Sequence, residues 1–198
     1  TEIQLPDPEL QYQYELSLYV IRSFFERETG FLPMGILPYH WQNSMFWDTW
    51  FCSMAWLGCN HAEYARKIAT FWKRQLPAAR EVARNLGCKG ARFSWTLNRD
   101  TPTRHPERQL QFHNNCVIAI QCGQVWQATG DKSFLEEVYP VMEEALQFLI
   151  DRLVKRVDGK VFLSQCAGPD VSVTDQKSTD TWTCAVITQA IDMYLDVA

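Results

Sequence analysis

The sequence predicts an all-α fold made of antiparallel helical hairpins. Six long segments carry apolar side chains at helical spacing, and the connections between them alternate long, short, long, short, long. Short connections between helices produce antiparallel hairpins. No segment has a convincing strand pattern, and the best candidate, residues 160–165, is a short run.

The first three predicted helices span residues 8–28, 44–58 and 61–86. Gly30 is expected to end the first helix, since glycine readily adopts the left-handed conformation of helix ends. The serine at the first residue of the second segment is a suitable N-cap. Pro77 is expected to kink or divide the third helix, because proline lacks the N–H that the helix interior needs.

The last three predicted helices span residues 108–128, 132–157 and 179–198, with Pro140 as a second expected kink. The long connections all fall at the end of the helical layer that holds the starts of helices two, four and six. Loops above roughly 12–15 residues in a compact domain are uncommon and are usually functional or disordered. A functional site is therefore expected at this end.

The composition argues against several classes of partner. The net charge is −4 and no run of basic residues is present, so neither nucleic acid nor an anionic membrane is expected as a partner. No apolar stretch approaches the ~20 residues of a membrane span. No signal peptide is visible at the N-terminus, so a cytoplasmic location is predicted, with secretion left open.

The seven cysteines form no CxxC pair and match no zinc-ligand spacing. Most of them fall inside predicted helices, where cysteine acts as a small buried apolar residue. Free thiols in a reducing compartment are therefore predicted. No metal cluster, dinucleotide motif or phosphate loop stands out in the sequence, so no cofactor is predicted.

Aromatic residues make up 13% of the chain, and eight of them are tryptophans. Most of these rings are expected to pack in the core, but carbohydrate sites also use such rings as flat platforms for sugars. The helix starts and long loops bring several polar and aromatic side chains to one end, a composition typical of a small-molecule site. They are Trp47, Asp48, Trp95, His113, Asp170, Asp180 and Trp182.

Six motifs occur in the order found in a known superfamily. They are FWDTWF at 46–51, GARFSW at 90–95, QFHNNCVIAI at 111–120, TGDKSFL at 129–135, GPD at 168–170 and TDTWT at 179–183. Over about 140 residues the chain thereby resembles the six-hairpin glycosidases, and among them the maltose, kojibiose and trehalose phosphorylases and related hydrolases. The resemblance implies antiparallel hairpins of an (α/α)6 toroid, of which this chain holds about half.

The resemblance also implies which residues bind a sugar. Trp47 and Asp48 would line the sugar subsite, and His113 would be the histidine of the fourth-helix motif. Trp95 and Trp182 are further candidates, and Arg92 is expected to anchor a substrate oxygen. This chemistry suits a sugar because aspartate accepts paired hydrogen bonds from hydroxyls and tryptophan offers an apolar face.

The catalytic acid is where the chain departs from the family pattern. In the family a glutamate follows GPD and serves as general acid, whereas this sequence has Val171, which cannot donate a proton. Asp170 is the first candidate to replace it, with Asp180 and Asp175 as others. The structural alternatives are a solvated turn residue for Asp170 and a helix-start acid for Asp180. Asp48 has the same helix-start alternative.

The leading hypothesis is a carbohydrate-active enzyme that cleaves an α-glucoside or related glycan by inverting hydrolysis or by phosphorolysis. The alternative is a non-catalytic glycan-binding or regulatory relative. Sugar epimerisation would need a pair of histidines, and only His113 is well placed. Because a half-barrel leaves inner helix faces open, a second copy of the chain or a missing second half-barrel is expected to cover them.

Overall fold

The computed structural model describes residues 3–33, 44–97, 110–164, 166–169 and 180–198. Its elements are α1 (Pro8–Phe24), α2 (Thr49–Gly58), α3 (Ala62–Asn85), α4 (His113–Thr129), α5 (Lys132–Leu153), β1 (Val154–Val157), β2 (Lys160–Leu163) and α6 (Thr181–Val197). The prediction of an all-α fold is confirmed, with one small antiparallel hairpin, β1–β2, added among the described residues.

Helix α4 lies at the centre of the fold. Every residue from His113 to Gly123 is buried, and the helix contacts α2, α3, α5 and α6. A helix that is buried on all sides needs other elements around it to cover its apolar side chains and to pair its polar ones. By contrast, α1 contains no buried residue and only partly covers the core with its residues Leu18, Ile21 and Phe24.

The helix ends follow familiar capping chemistry. Asp7 caps α1 by accepting hydrogen bonds from the backbone N–H groups of Glu9 and Leu10. Gly130 ends α4 in the left-handed conformation at φ 65°, and Asp131 caps α5 through the Phe134 N–H at 3.1 Å. The α4–α5 link is therefore as short as the sequence predicts.

Two predicted boundaries move because residues pair in other ways. Helix α2 begins at Thr49 and not near Ser44, since Met45 forms an antiparallel bridge with Leu97. Helix α5 ends at Leu153, because residues 154–157 pair with 160–163 across a tight turn whose two residues, 158 and 159, have positive φ. Of the remaining shifts, the two largest are that α1 ends at Phe24 and that α4 begins at His113.

Gly30 behaves differently from the sequence-based expectation, and the two helix prolines lie where it placed them. Gly30 lies beyond the end of α1, in a turn with φ 75°, and a Cβ there would overlap the backbone carbonyl of Lys67 on α3. Its role is thus a close crossing and not a helix cap. Pro77 and Pro140 both lie inside helices: neither divides its helix, which removes division as an option for Pro77, and the expected kinks stay predictions.

Candidate functional site

Three rings from three helix starts meet at one end of the molecule. Trp47 immediately precedes the first turn of α2, His113 opens α4, and Trp182 lies in the first turn of α6. The ring centroids lie 6.1 Å apart for Trp47 and His113, 5.4 Å for Trp47 and Trp182, and 5.2 Å for His113 and Trp182. All three pairs pack edge to face, a favoured aromatic geometry. These three residues are called the ring cluster below.

The ring cluster is partly open. His113 is fully buried, whereas Trp47 and Trp182 are half-buried. The indole N–H of Trp47 is buried and has no hydrogen-bond acceptor in the part of the chain that the structure describes. Because a buried N–H donor is costly to leave unpaired, an acceptor is expected from a ligand or from residues outside the described ranges.

The turn before α2 is fixed by Thr49. Its backbone N–H and its hydroxyl both donate to the carbonyl oxygen of Phe46, at 3.0 and 2.9 Å. The same hydroxyl accepts a hydrogen bond from Gln121 Nε2 at 3.1 Å, and Gln121 Oε1 accepts from Trp72 Nε1 at 2.9 Å. This buried chain of hydrogen bonds ties α2, α3 and α4 together just below Trp47.

Asp48 occupies the N-cap position of α2, but its side chain makes no capping hydrogen bond to the described helix start. The residue is half-buried. Burial, with the nearby Asp48 carboxylate as the second cause, raises the pKa of the Cys52 thiol to about 11. Cys52 is therefore a neutral thiol at pH 7 beside a residue predicted to bind sugar hydroxyls.

Asp180 caps α6. Its Oδ2 accepts a hydrogen bond from the Thr183 N–H at 2.7 Å, and its carboxylate packs against Gly168. The Thr183 hydroxyl reaches the carbonyl oxygen of Ala167 at 3.4 Å, so the segment 166–169 is fastened to the start of α6. This is the structural alternative that the sequence offered for Asp180, and its catalytic role stays a prediction.

Trp95 lies on a segment called the strap below (residues 90–97) and is not a member of the ring cluster. Its ring is buried and stacks on Phe46 at 5.8 Å with an interplanar angle of 25°. Phe46 directly precedes Trp47. Trp95 therefore contacts the segment that carries the ring cluster, and the structure describes no ring contact between it and the cluster itself.

Arg92 lies on the side of α4 that faces α5. Its guanidinium is buried over the rings of Phe112, at 4.5 Å, and Phe148, at 5.6 Å. Burial, followed by repulsion from Arg152, lowers its pKa to about 10. The residue remains a cation at pH 7, and its predicted role in anchoring a substrate oxygen stays a prediction.

Some predicted residues lie outside the described ranges. Asp170, the first candidate for the catalytic acid, is one of them, and so are Val171 and Asp175. The segment just before them, residues 166–169, is described and lies against α6, as shown above.

Two site residues escaped the sequence analysis although their motif was recognised. Asn114 and Asn115 follow His113 in the first turn of α4, are buried, and hydrogen-bond to the strap. Asparagine side chains readily hydrogen-bond to backbone groups. The available signal was therefore a pair of amide side chains at the start of a largely apolar segment, because such a pair indicates hydrogen bonds to the backbone of another segment.

A cavity of about 270 Å³ lies elsewhere, between α1 and the α2–α3 hairpin. Trp56, His61 and Tyr64 line it together with four residues of α1. These residues belong to the end of α2 and the start of α3, whereas Trp47 lies at the start of α2. The cavity is therefore separate from the ring cluster.

The described residues meet neither the requirements of a metal site nor those of a membrane span. Within them, no group of three or more histidine, cysteine, aspartate or glutamate residues could hold a metal ion. None of their helices is long and apolar enough to span a bilayer.

All seven cysteines are free, and burial raises the pKa of Cys116 above the usual thiol range and that of Cys122 to about 12.

Comparison with known protein families gives one match over nearly the whole chain. The profile described as "Glycosyl hydrolase family 65 central catalytic domain" matches residues 15–197.

Individual relatives agree with that family. A kojibiose hydrolase of Flavobacterium johnsoniae is 27% identical over 171 residues, which are 83% of this chain and 25% of the relative. A kojibiose phosphorylase of Escherichia coli is 25% identical over 208 residues, which are 95% of this chain and 27% of the relative. The chain thus spans about a quarter of the length of these relatives.

A solved structure shares the fold. A chain from the human microbiome, assigned as a kojibiose phosphorylase, superposes with a TM-score of 0.78 at 17% sequence identity. The superposition covers 94% of this chain and 26% of that chain. The toroid-type hairpin fold predicted from the sequence is confirmed.

Proposed function

Because the chain belongs to the family of the glycosyl hydrolase family 65 central catalytic domain, we propose that it acts on α-linked glucosides, by hydrolysis or by phosphorolysis. Relatives of both kinds support this substrate class, since they are named kojibiose hydrolase, kojibiose phosphorylase and 1,2-α-glucosylglycerol phosphorylase. Kojibiose is therefore the first substrate to test.

The observation that carries the proposal is the ring cluster. Two half-exposed indoles and one imidazole, supplied by three different helix starts, lie within 6.1 Å of one another. Indole faces suit the apolar face of a pyranose, and the buried N–H of Trp47 suits a hydroxyl oxygen. Asp48 beside them would accept hydrogen bonds from hydroxyls, with Trp95 and Arg92 as supporting residues.

Asp170 is proposed as the general acid, and Asp180 as the second candidate. Cleavage of a glycoside requires one carboxylic acid to protonate the leaving oxygen, while water or phosphate attacks the anomeric carbon from the other face. In inverting hydrolysis a second carboxylate about 6.5–9.5 Å away activates the water. The capping bond of Asp180 to α6 favours Asp170 for the acid.

The test is a turnover assay on kojibiose and a panel of aryl α-glucosides, with and without inorganic phosphate. Turnover is expected, and its dependence on phosphate distinguishes phosphorolysis from hydrolysis. Asp170→Asn should abolish turnover while leaving sugar affinity, measured by calorimetry, within about twofold, because the amide keeps the shape of the carboxyl. Asp180→Asn is the matched comparison, and loss of turnover in that variant alone would move the acid to Asp180.

A second function is favoured by one feature of the sequence. Val171 stands where the family pattern has its general acid, and this suits a glycan-binding or regulatory protein that keeps the sugar site without catalysis. Calorimetric binding of kojibiose, with no turnover in either phosphate condition, would support this alternative over the enzyme.

Two further properties belong to the same proposal. A second copy of the chain, or another half of a toroid, would cover the exposed side chains of α2 at Phe51 and Met54. Sedimentation equilibrium of the chain would separate a monomer from a dimer. A cytoplasmic location is proposed, with seven free cysteines as its support.

A further inference from the structure

The strap (residues 90–97) is anchored to two helices at one end and to the start of the site at the other. The N–H groups of Ala91 and Arg92 donate to the carbonyls of Glu144 on α5 and Ala79 on α3, both at 2.9 Å. At its other end Leu97 exchanges two hydrogen bonds of 2.8 Å with Met45. The strap therefore connects α3 and α5 to the segment that leads into Trp47.

One side chain holds the middle of the strap. Asn115 Oδ1 accepts a hydrogen bond from the Phe93 N–H at 3.0 Å, while its Nδ2 donates to the carbonyls of Ala91, at 2.7 Å, and Ala145, at 3.2 Å. The side chain is fully buried. Asn114 adds a 2.7 Å hydrogen bond from its Nδ2 to the Ser94 carbonyl.

The strap closes a loop of contacts that begins and ends at one turn of α4. From Asn115 the contacts run through Phe93 and Trp95 to the stack on Phe46, and from there to Trp47. Trp47 packs against His113, which is two residues before Asn115. The same turn of α4 thus supplies one ring of the cluster and fixes the segment that carries another.

We propose that Asn115 is a positioning residue of the sugar site, which sets the placement of Trp47 relative to His113 by holding the strap. The expected effect on sugar binding rests on the proposed function. The geometry that links Asn115, the strap and the ring cluster does not depend on it. Sites of this kind depend on supporting residues, because small displacements of a binding group cost much of its effect.

Only an amide fits the chemistry at this position. Asn115 must present one acceptor and two N–H donors to three backbone groups in the interior. Aspartate has nearly the same shape but no donors when ionised, so the Ala91 carbonyl would lose its bond from Asn115 and the Ala145 carbonyl would lose the bond that it accepts in addition to its helical one. Asn115→Asp is therefore the sharpest variant, and it also tests whether shape alone is enough.

The experiment uses the full chain, carrying ¹³C-labelled histidine, and two measurements. The chain has four histidines, and His113→Gln assigns the resonance of residue 113. The ring protons of His113 sense the ring currents of Trp47 and Trp182, so their chemical shifts report the geometry of the cluster. Calorimetric titration with kojibiose reports the consequence for binding. Both are recorded well below the unfolding temperature of each variant.

The control is Val138→Ala, which removes buried methyl groups from α5 and involves no residue of the site. Asn115→Asp is expected to move the His113 resonance and to weaken kojibiose binding by about tenfold or more. Val138→Ala should leave both unchanged. Asn114→Ala is recorded alongside because it adds no charge near His113, and it should give smaller changes in both measurements because it removes one hydrogen bond of the strap.

The outcomes separate the two proposals. If the His113 resonance of Asn115→Asp matches that of the Val138→Ala control, the positioning role is overturned. A wild-type chain that binds no kojibiose would overturn the proposed substrate, yet the resonance would still decide the role of Asn115. A shifted resonance with unchanged kojibiose affinity would also count against the inference, since the placement would then have no consequence.

Discussion

The two ends of the helical hairpins bury different kinds of side chain. At the end where α2, α4 and α6 begin, the first turn of α4 alone buries His113, Asn114 and Asn115. At the other end the short α4–α5 link consists of Gly130 and Asp131, and the adjacent α5 start buries Phe134 in apolar surroundings. At this end the link between α4 and α5 needs only the Asp131 cap and the burial of Phe134.

This difference separates a functional end from a structural end. Burying polar groups costs free energy unless each one is hydrogen-bonded, so stability alone does not account for a cluster of them. Asn115 meets this cost through three hydrogen bonds, Asn114 meets part of it through its Nδ2, and the histidine packs against both indoles. The structural end obtains stability from apolar burial and caps.

The largest expected effect is on stability at the structural end. Phe134 is buried, and the guanidinium of Arg66 lies 4.7 Å from its ring centroid. Phe134→Ala should lower the free energy of unfolding by about 3–5 kcal/mol, through lost burial and a cavity. Urea unfolding measures the loss. Kojibiose affinity of the folded fraction should stay at the wild-type value, and a parallel loss of affinity would break the division into two ends.

The next effect is on binding at the functional end. Trp47→Ala removes a half-buried indole that contacts both His113 and Trp182. Kojibiose binding should weaken by about 2 kcal/mol, roughly thirtyfold, since a central aromatic residue commonly carries that share of a binding site. Calorimetry measures the affinity, and Trp126→Ala on the far part of α4 is the tryptophan control. Equal losses in both variants would show that the effect is not local.

How far the sequence predicts these ends can be judged from particular residues. Hairpin alternation correctly places Trp47, His113 and Trp182 at a common end, because short links leave two antiparallel helices no other arrangement. It does not reveal that Trp95 stacks on Phe46, because that contact depends on side-chain packing between segments far apart in the chain, which periodicity does not encode. The Asp180 cap on α6 is a local contact to the Thr183 N–H, and the sequence offered it as an alternative.

Helix boundaries show the same limit. The apolar pattern of residues 44–48 continues that of α2, so periodicity extends the helix, yet Met45 pairs with Leu97. The start of α5 at Lys132 was predictable, since Asp131 and the preceding Gly130 are local signals. Local signals in the sequence therefore locate the structural end well, whereas the functional end is shaped by distant pairings.

A smaller effect separates capping from catalysis in Asp180. Asp180→Ala should cost about 1 kcal/mol of stability by removing the hydrogen bond to the Thr183 N–H, and Asp180→Asn should restore it because asparagine is an equally good N-cap. Thermal unfolding compares the two variants. An asparagine variant as unstable as the alanine variant would show that the charge, and not the cap, is what α6 requires.

The smallest effect concerns charge at the structural end. The Asp131 carboxylate accepts a hydrogen bond from Arg66 and others from Ser133 and the Phe134 N–H, and these hold its pKa well below its usual value. A carboxyl whose pKa is lowered in the folded state contributes stability that is complete above its unfolded pKa, about 3.9, and is lost as the pH falls towards the folded pKa.

Asp131→Asn keeps the cap but removes the charge. The variant should therefore be slightly less stable than the wild type between about pH 5 and 8, and the difference should shrink below about pH 4. Urea unfolding across this range measures it, with Arg66→Gln expected to show the same decrease at low pH in addition to a pH-independent loss of its contact with the Phe134 ring. A difference that persists unchanged at low pH would assign the contribution to hydrogen-bond geometry and not to charge.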